Sequence, residues 1–179
     1  MNDLLIRAET PEDYPLIRRI IDSAFGQPNE GDLVEALRRA EGFDPRLSLV
    51  AFLKEYAGGR PYAVGHILFH PISIITASGE HRALSLAPLS VLPDFQRKGV
   101  GTKMVQEGLH RARAGGYRSV IVLGHPGYYP RFGFLPASRW RIRPPFDAQD
   151  EAFMALELKP GSLEHVQGTV RYPEEFEHV

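Results

Sequence analysis

Residues 90–124 read SVLPDFQRKGVGTKMVQEGLHRARAGGYRSVIVLG. An apolar run ends in a turn that contains Gln96, Gly99 and Gly101, a helix follows, and a second apolar run closes the stretch. Met104, Val105, Gly108, Leu109 and Ala112 recur at helical spacing and predict the inner face of a helix over 99–114, with Lys103, Glu107, Arg111 and Arg113 outward. AGGY ends that helix with glycines, as helix C-termini prefer. Residues 119–123 predict a buried strand parallel to the one before the helix. Gly99 and Gly101 lack a Cβ, so backbone there can approach a ligand closely. They stand at a helix start, where unpaired N–H groups and the helix dipole favour an anion. Arg97, Lys98 and Lys103 add positive charge. Two phosphate motifs are excluded. GVGTK lacks the Gly-Lys-Ser/Thr of a Walker loop, and Met104 stands where a dinucleotide fingerprint needs its third glycine.

Outward from this unit, residues 4–8 predict a short strand. TPEDYPLIRRIIDSAF predicts a helix capped by Thr10, with Pro11 at its first position and Leu16, Ile17, Ile20, Ile21 and Ala24 in one stripe. A second helix is expected over 30–40. Strands are expected over 47–56, 62–76 and 81–91, joined by turns at AGGRP and ASGE into an antiparallel meander. Pro88 falls inside the last of these and marks an edge, a bulge or a splayed strand, because proline cannot donate to a ladder. Further strands are expected over 140–143, 152–158 and 169–172, and HPGYYPRFGF predicts a tight aromatic loop or a single helical turn. No linker or repeat divides the chain, so residues 1–179 are expected to form a single α/β domain with a mixed sheet.

Composition narrows the function. Lys plus Arg is 21 and Asp plus Glu is 22, so no basic excess suggests a nucleic-acid partner. With no cysteine, a thiolate nucleophile, disulfides and thiolate-ligated metals are excluded. The N-terminus MNDLLIRAETPEDY has no basic start followed by an apolar core, and no apolar run is long enough to span a membrane. A cytoplasmic location is the expectation.

QRKGVG, Gln96–Gly101, has the form Gln-x-x-Gly-x-Gly and, with the preceding LSVLPDF, resembles the acetyl-CoA loop of the GCN5-related N-acetyltransferases (GNAT). A second motif agrees: YPRFGF sets Tyr129 four residues before Gly133-Phe134, as in that family's aromatic turn. LAPLSVLPDFQRKGVG, VLGHPGYYPRFGF, FMALELKPGSLEHVQGTVRY, GHILFHPI and EGDLVEALR together resemble the YhbS-like branch of predicted acetyltransferases. The resemblance implies a GNAT-like fold, a mixed and mostly antiparallel central sheet splayed between its fourth and fifth strands and flanked by helices. It implies acetyl-CoA as co-substrate and no metal. The pantetheine arm would pair with Leu89, Ser90 and Val91, and the pyrophosphate would sit on amides from Gln96, Arg97, Lys98, Gly99, Val100, Gly101 and Thr102, with Phe132 nearby. Tyr129 matches the family's general acid. The implied acceptor is a primary amine, on a small molecule rather than a protein, and many relatives form homodimers. A non-catalytic CoA-binding sensor, or a transferase for a longer acyl-CoA, are the alternatives.

Each candidate residue has a second reading. Tyr129 could simply pack beside Tyr128, Phe132 and Phe134. Glu30 is either a base for the amine or a carboxylate at a helix start. His125 is a base or a loop cap. His66 and His70 share a strand face by alternation, which suits a metal pair or a structural role, with no third ligand indicated. Ser85 could face the same cleft.

Overall fold

The protein, a computed structural model, is described over residues 4–56 and 59–178. Residues 57 and 58 of the expected AGGRP turn lie outside the described residues.

The chain opens with β1 (Leu4–Ala8), then a single 3-10 turn at Pro11–Asp13, then α1 (Tyr14–Phe25). A continuous helix from Thr10 does not form. The Asp13 carboxylate instead accepts the Thr10 N–H at 2.8 Å and two Arg7 N–H groups at 2.6 and 2.9 Å, which tightens the first turn. α1 ends at Gly26, whose φ of 71° is a left-handed cap. α2 (Asn29–Leu37) is shorter than expected, with residues 38–40 continuing as a turn. Then come β2 (Ser48–Tyr56), β3 (Arg60–Thr76), β4 (Gly79–Val91), α3 (Val100–Ala114) and β5 (Ser119–Leu123). β6 (Leu135–Pro136), β7 (Ile142–Arg143), β8 (Phe153–Glu157) and β9 (Gly168–Arg171) complete the chain. Trp140 falls in the turn before β7 rather than in the strand.

The sheet runs β1-β2-β3-β4-β5-β8-β6, while β9 pairs with the far half of β3 and β7 with β9. It is parallel only at β4–β5 and at the short β7–β9 pair. Alternation along β2 assigns the two faces. Leu49 and Ala51 join Val64, Ile67 and Phe69 beneath Met104, Val105 and Leu109 of α3. Val50 and Phe52 join Leu68 against Ile17, Ile20, Ile21, Val34 and Leu37 of α1 and α2. The result is a helix–sheet–helix stack, the layering expected where apolar stripes must be covered on both faces.

α3 approaches the sheet closely at Gly108. A Cβ there would lie 2.2 Å from Phe69 Cε2, and Phe69 is wholly buried. Alanine in a helix interior is worth about 1 kcal/mol over glycine. Here the sign reverses: Gly108→Ala is expected to cost about 1–3 kcal/mol in urea unfolding, because the core has no room for the methyl group. A stabilised variant would contradict this packing.

The strand geometry creates one gap. β4 and β5 pair only at Leu84↔Val120 and Ser85↔Ile121. Beyond that point β4 stays with β3 as far as Val91↔Gly65, and β5 stays with β8 as far as Leu123↔Phe153. The two strands therefore diverge, and among the described residues no strand lies beside the β5-facing edge of β4 after Ser85. Pro88, preceded by a cis peptide bond, lies on this edge where no N–H is required.

Candidate active site

On one side of the gap a cleft of about 560 Å³ is lined by Leu89 and Val91 of β4, the loop residues Gln96, Arg97, Gly99, Gly101 and Thr102, and by Tyr128 and Arg131. The loop is held by the Gln96 side chain, whose Nε2 donates to the Val91 carbonyl at 3.0 Å. It turns through left-handed backbone at Arg97 (φ 57°) and Gly99 (φ 84°). The first α3 bond outside the loop is Lys103 N–H to Gly99 C=O, so the amides of Val100, Gly101 and Thr102 precede the helical ladder. Gly101 is required by space rather than by φ: a Cβ there would stand 2.9 Å from the Tyr128 hydroxyl.

Not every expected residue presents its side chain here. Val100, the first residue of α3, turns its side chain into the core, so only its backbone faces the loop. Ser90 is buried, its Oγ has no hydrogen-bond partner among the described residues, and alternation turns it away from the face of Leu89 and Val91. Lys98 lies over the Phe95 ring at 5.6 Å, outside the cleft. Phe132 packs edge-on against Tyr128 at 5.4 Å and supports the wall from behind. Arg131 is an unforeseen member. Its guanidinium lies 4.5 Å from the centre of the Tyr128 ring and donates to the Tyr128 and Gly127 carbonyls at 2.9 and 3.3 Å. The signal was present in YPRF, but a lone arginine in a loop has no periodicity to betray it.

Leu89 and Tyr128 also line a second cleft of about 520 Å³, so the two adjoin. Its floor is Ser85–Leu89 on β4 and Leu123–His125 at the end of β5, the two sides of the strand gap. Tyr129 lines it while remaining 8% exposed. The Tyr129 ring meets Tyr128 at 5.1 Å and Phe134 at 5.7 Å, both edge-on. Gly124 makes room for it, since a Cβ there would be 2.2 Å from the ring. Burial raises the Tyr129 hydroxyl well above the usual phenol range, so it stays protonated at neutral pH. Tyr128 is raised as well by burial, opposed by its hydrogen bond with Thr102.

Glu30 reaches the rim of this cleft from the first turn of α2, with its carboxylate held by Gln27 Nε2 at 3.0 and 3.1 Å. His125 also lines it, and its Nδ1 accepts the Gly127 N–H at 3.4 Å, the geometry of a loop cap. Ser85 is buried at the floor. Burial raises the Tyr172 hydroxyl, and the polar Ser85 side chain opposes the rise. The sequence reading passed over Tyr172, Phe146 and Phe176, which close the cleft from the C-terminal part of the chain.

His66 and His70 do not form a site. His66 Nε2 lies 2.9 Å from Ser48 Oγ and 3.5 Å from Glu9, inside a buried cluster with Arg38. His70 Nδ1 lies 3.0 Å from the Pro71 carbonyl. Both have the structural role.

Residues 14–134 match the family model for the acetyltransferase (GNAT) family. The chain belongs to the GNAT acetyltransferase family. Among its GNAT relatives, the uncharacterized N-acetyltransferase YhbS of Escherichia coli K12 is 33% identical over 174 residues, 97% of this chain and 98% of YhbS. The uncharacterized N-acetyltransferase YjhQ of the same organism is 41% identical over 122 residues, 68% of this chain and 64% of YjhQ. The crystal structure of E. coli YhbS in complex with CoA superposes with a TM-score of 0.86 at 32% identity, covering 98% of this chain and 92% of that one. A GNAT acetyltransferase from Brucella melitensis in complex with acetyl-CoA gives a TM-score of 0.72 at 35% identity, covering 97% of each chain. The expected fold, a mostly antiparallel sheet splayed between its fourth and fifth strands, is the fold observed.

Proposed function

We propose that this protein is a single-domain enzyme that transfers an acetyl group from acetyl-CoA to the primary amine of a small molecule. The observation that carries the reading is the divergence of β4 and β5 after Ser85 and Ile121, which joins a cationic glycine loop to an apolar cleft containing a buried tyrosine. Two solved relatives hold CoA and acetyl-CoA, which supports the same assignment here.

In this reading the pyrophosphate lies on the amides of the Gln96–Thr102 loop, with Arg97 and Arg131 beside it. The pantetheine arm takes the place of the missing strand along Leu89, Ser90 and Val91, where β4 has lost β5 as a neighbour. This delivers the thioester beside Tyr129. An alkyl ammonium has a pKa of about 10.4 and must lose a proton before it can attack. Glu30 accepts that proton, directly or through water. The neutral amine then adds to the carbonyl carbon. A backbone N–H near Val91 stabilises the oxyanion. The C–S bond breaks as the oxyanion collapses, the departing thiolate takes a proton from Tyr129, and the second proton of the acylated nitrogen passes to the Tyr129 oxygen, directly or through water, leaving the amide, the free CoA thiol and a neutral tyrosine. Both carriers of chemistry sit on rigid elements, so much of the acceleration comes from holding amine and thioester together.

The test is direct. Mass spectrometry under non-denaturing conditions, with titrated acetyl-CoA and CoA, is expected to show one bound cofactor per chain, and an amine panel is expected to release free thiol. Replacing Gly101 with valine displaces the Tyr128 hydroxyl and fills the loop. Its expected cost in CoA affinity is about 10–100-fold, since it blocks backbone approach to the phosphates. Unchanged affinity would remove the loop from the cofactor site. Tight CoA binding with no thiol release from any amine would favour a sensor, and faster turnover of longer thioesters would favour another acyl donor.

A further inference from the structure

We infer that the acceptor is an arylalkyl amine, a primary ammonium carried on an aromatic body. This rests on the acetyltransferase reading above and narrows its substrate. Of the six large apolar side chains most exposed among the described residues, three open into the second cleft: Phe25 (42%), Leu123 (51%) and Phe146 (44%). Converging exposed apolar groups mark a binding surface, whereas single ones do not.

The wall they share is preformed. Phe146 stacks on Tyr172 with ring centres 5.9 Å apart and planes at 28°, and Tyr172 meets Phe176 at 4.9 Å. Tyr172 packs against the core cluster of Ile142, Phe153 and Val170, and Phe176 packs against the α1–α2 layer. An aromatic surface fixed in this way receives a flat apolar ligand with little ordering cost. Among the described residues that line the cleft, Glu30 is the only Asp, Glu, Lys or Arg. A carboxylate at the rim of an apolar cleft matches a ligand with one cation and an apolar body. A long acyl chain would leave Glu30 with Gln27 but no cation to pair with. A polar amine such as ethanolamine would leave most of a 520 Å³ apolar cleft filled only by water.

The test compares 2-phenylethylamine with ethanolamine. Each is titrated calorimetrically into the protein saturated with CoA, and each is assayed for thiol release from acetyl-CoA. 2-Phenylethylamine is expected to bind at least about tenfold more tightly, the effect of burying one phenyl ring. Phe146→Ala is expected to bring the ratio of the two affinities to within about twofold of one, because Phe146 touches the body of the ligand and not its amine. Its partial exposure keeps the fold intact, checked by an unchanged melting temperature. Equal affinity for the two amines, or a Phe146→Ala variant that weakens both equally, overturns the inference. So does a Phe146→Ala variant that loses octanoyl-CoA turnover but keeps its preference for 2-phenylethylamine, since the wall then holds the acyl chain. Failure to bind acetyl-CoA at all would instead bring down the acetyltransferase reading. In that case the amine titrations into the protein alone still decide whether the cleft prefers an aromatic amine.

Discussion

Replacing Arg38 with alanine is expected to lower the unfolding free energy at pH 7 by about 3–5 kcal/mol, the cost of leaving a buried charge unpaired. Glu9 follows β1 and is almost wholly buried. Arg38, at the end of α2, donates to it through Nε at 2.9 Å and Nη2 at 3.0 Å, and lies 3.8 Å from the centre of the Tyr14 ring. His66 of β3 stands 3.5 Å from the same carboxylate. Burial alone would raise the Glu9 carboxyl, but the hydrogen bonds from His66 and Arg38 outweigh it and hold it at about 2. Against an ordinary value of 4.5, that depression is worth about 3 kcal/mol. The sign then fixes the pH window. A depressed carboxyl contributes its stability above its unfolded pKa and loses it as pH falls towards 2. Burial also lowers His66, against the pull of Glu9, so His66 is neutral in the folded protein. The unfolded chain therefore takes up that proton first, and stability begins to fall below about 6.5. Urea unfolding from pH 7 to pH 3 should show the gap between wild type and Arg38→Ala narrowing below pH 4.5. A constant gap would mean that Arg38 acts by packing on Tyr14 alone.

How much of this was readable in the chain depended on distance along it. The glycine loop and the Tyr129 turn were legible because their spacings are local: Gln96 to Gly101, and Tyr129 to Gly133. The strand gap was signalled by Pro88, a residue that cannot serve a ladder. The shared face of His66 and His70 was legible from alternation, but the partners that decide the role of His66 were not. Glu9 and Arg38 reach it from β1 and α2 through the tertiary fold. The aromatic wall was hidden for the same reason. Tyr172 enters the cleft only because β9 returns to pair with β3 at Ser73–Thr76. Phe146 and Phe176 sit in segments without periodicity, where an exposed aromatic resembles any surface residue. The tight contacts at Gly108 and Gly124 depend on the ring each glycine faces, Phe69 and Tyr129, and no motif records them.

Tyr129→Phe is expected to lower kcat by about 10²–10⁴-fold, the usual range for a general acid, with CoA affinity unchanged within about twofold. The substitution keeps the ring, and with it the edge contacts to Tyr128 and Phe134, so the only loss is the hydroxyl. A phenol raised by burial is a weak acid in water-like terms. On the proposed mechanism the thiolate would form in the same cleft, where desolvation raises a thiol above its ordinary value of about 8.5 by the same physics. The two would then move together, and the transfer would accompany C–S cleavage rather than precede it. The neighbouring ring supplies the control. Tyr128 sets its hydroxyl against Gly101 and Thr102, at the phosphate end. Tyr128→Phe should therefore raise the dissociation constant for CoA and leave kcat at saturation nearly intact. Gly124→Ala, which forces a methyl into the Tyr129 ring, should reproduce the kcat loss without removing any hydroxyl. If Tyr128→Phe stops turnover and Tyr129→Phe does not, the proton comes from Tyr128 and the motif-based assignment is wrong. If both leave kcat intact, the thiolate departs unprotonated, and positioning along the strand gap carries the reaction.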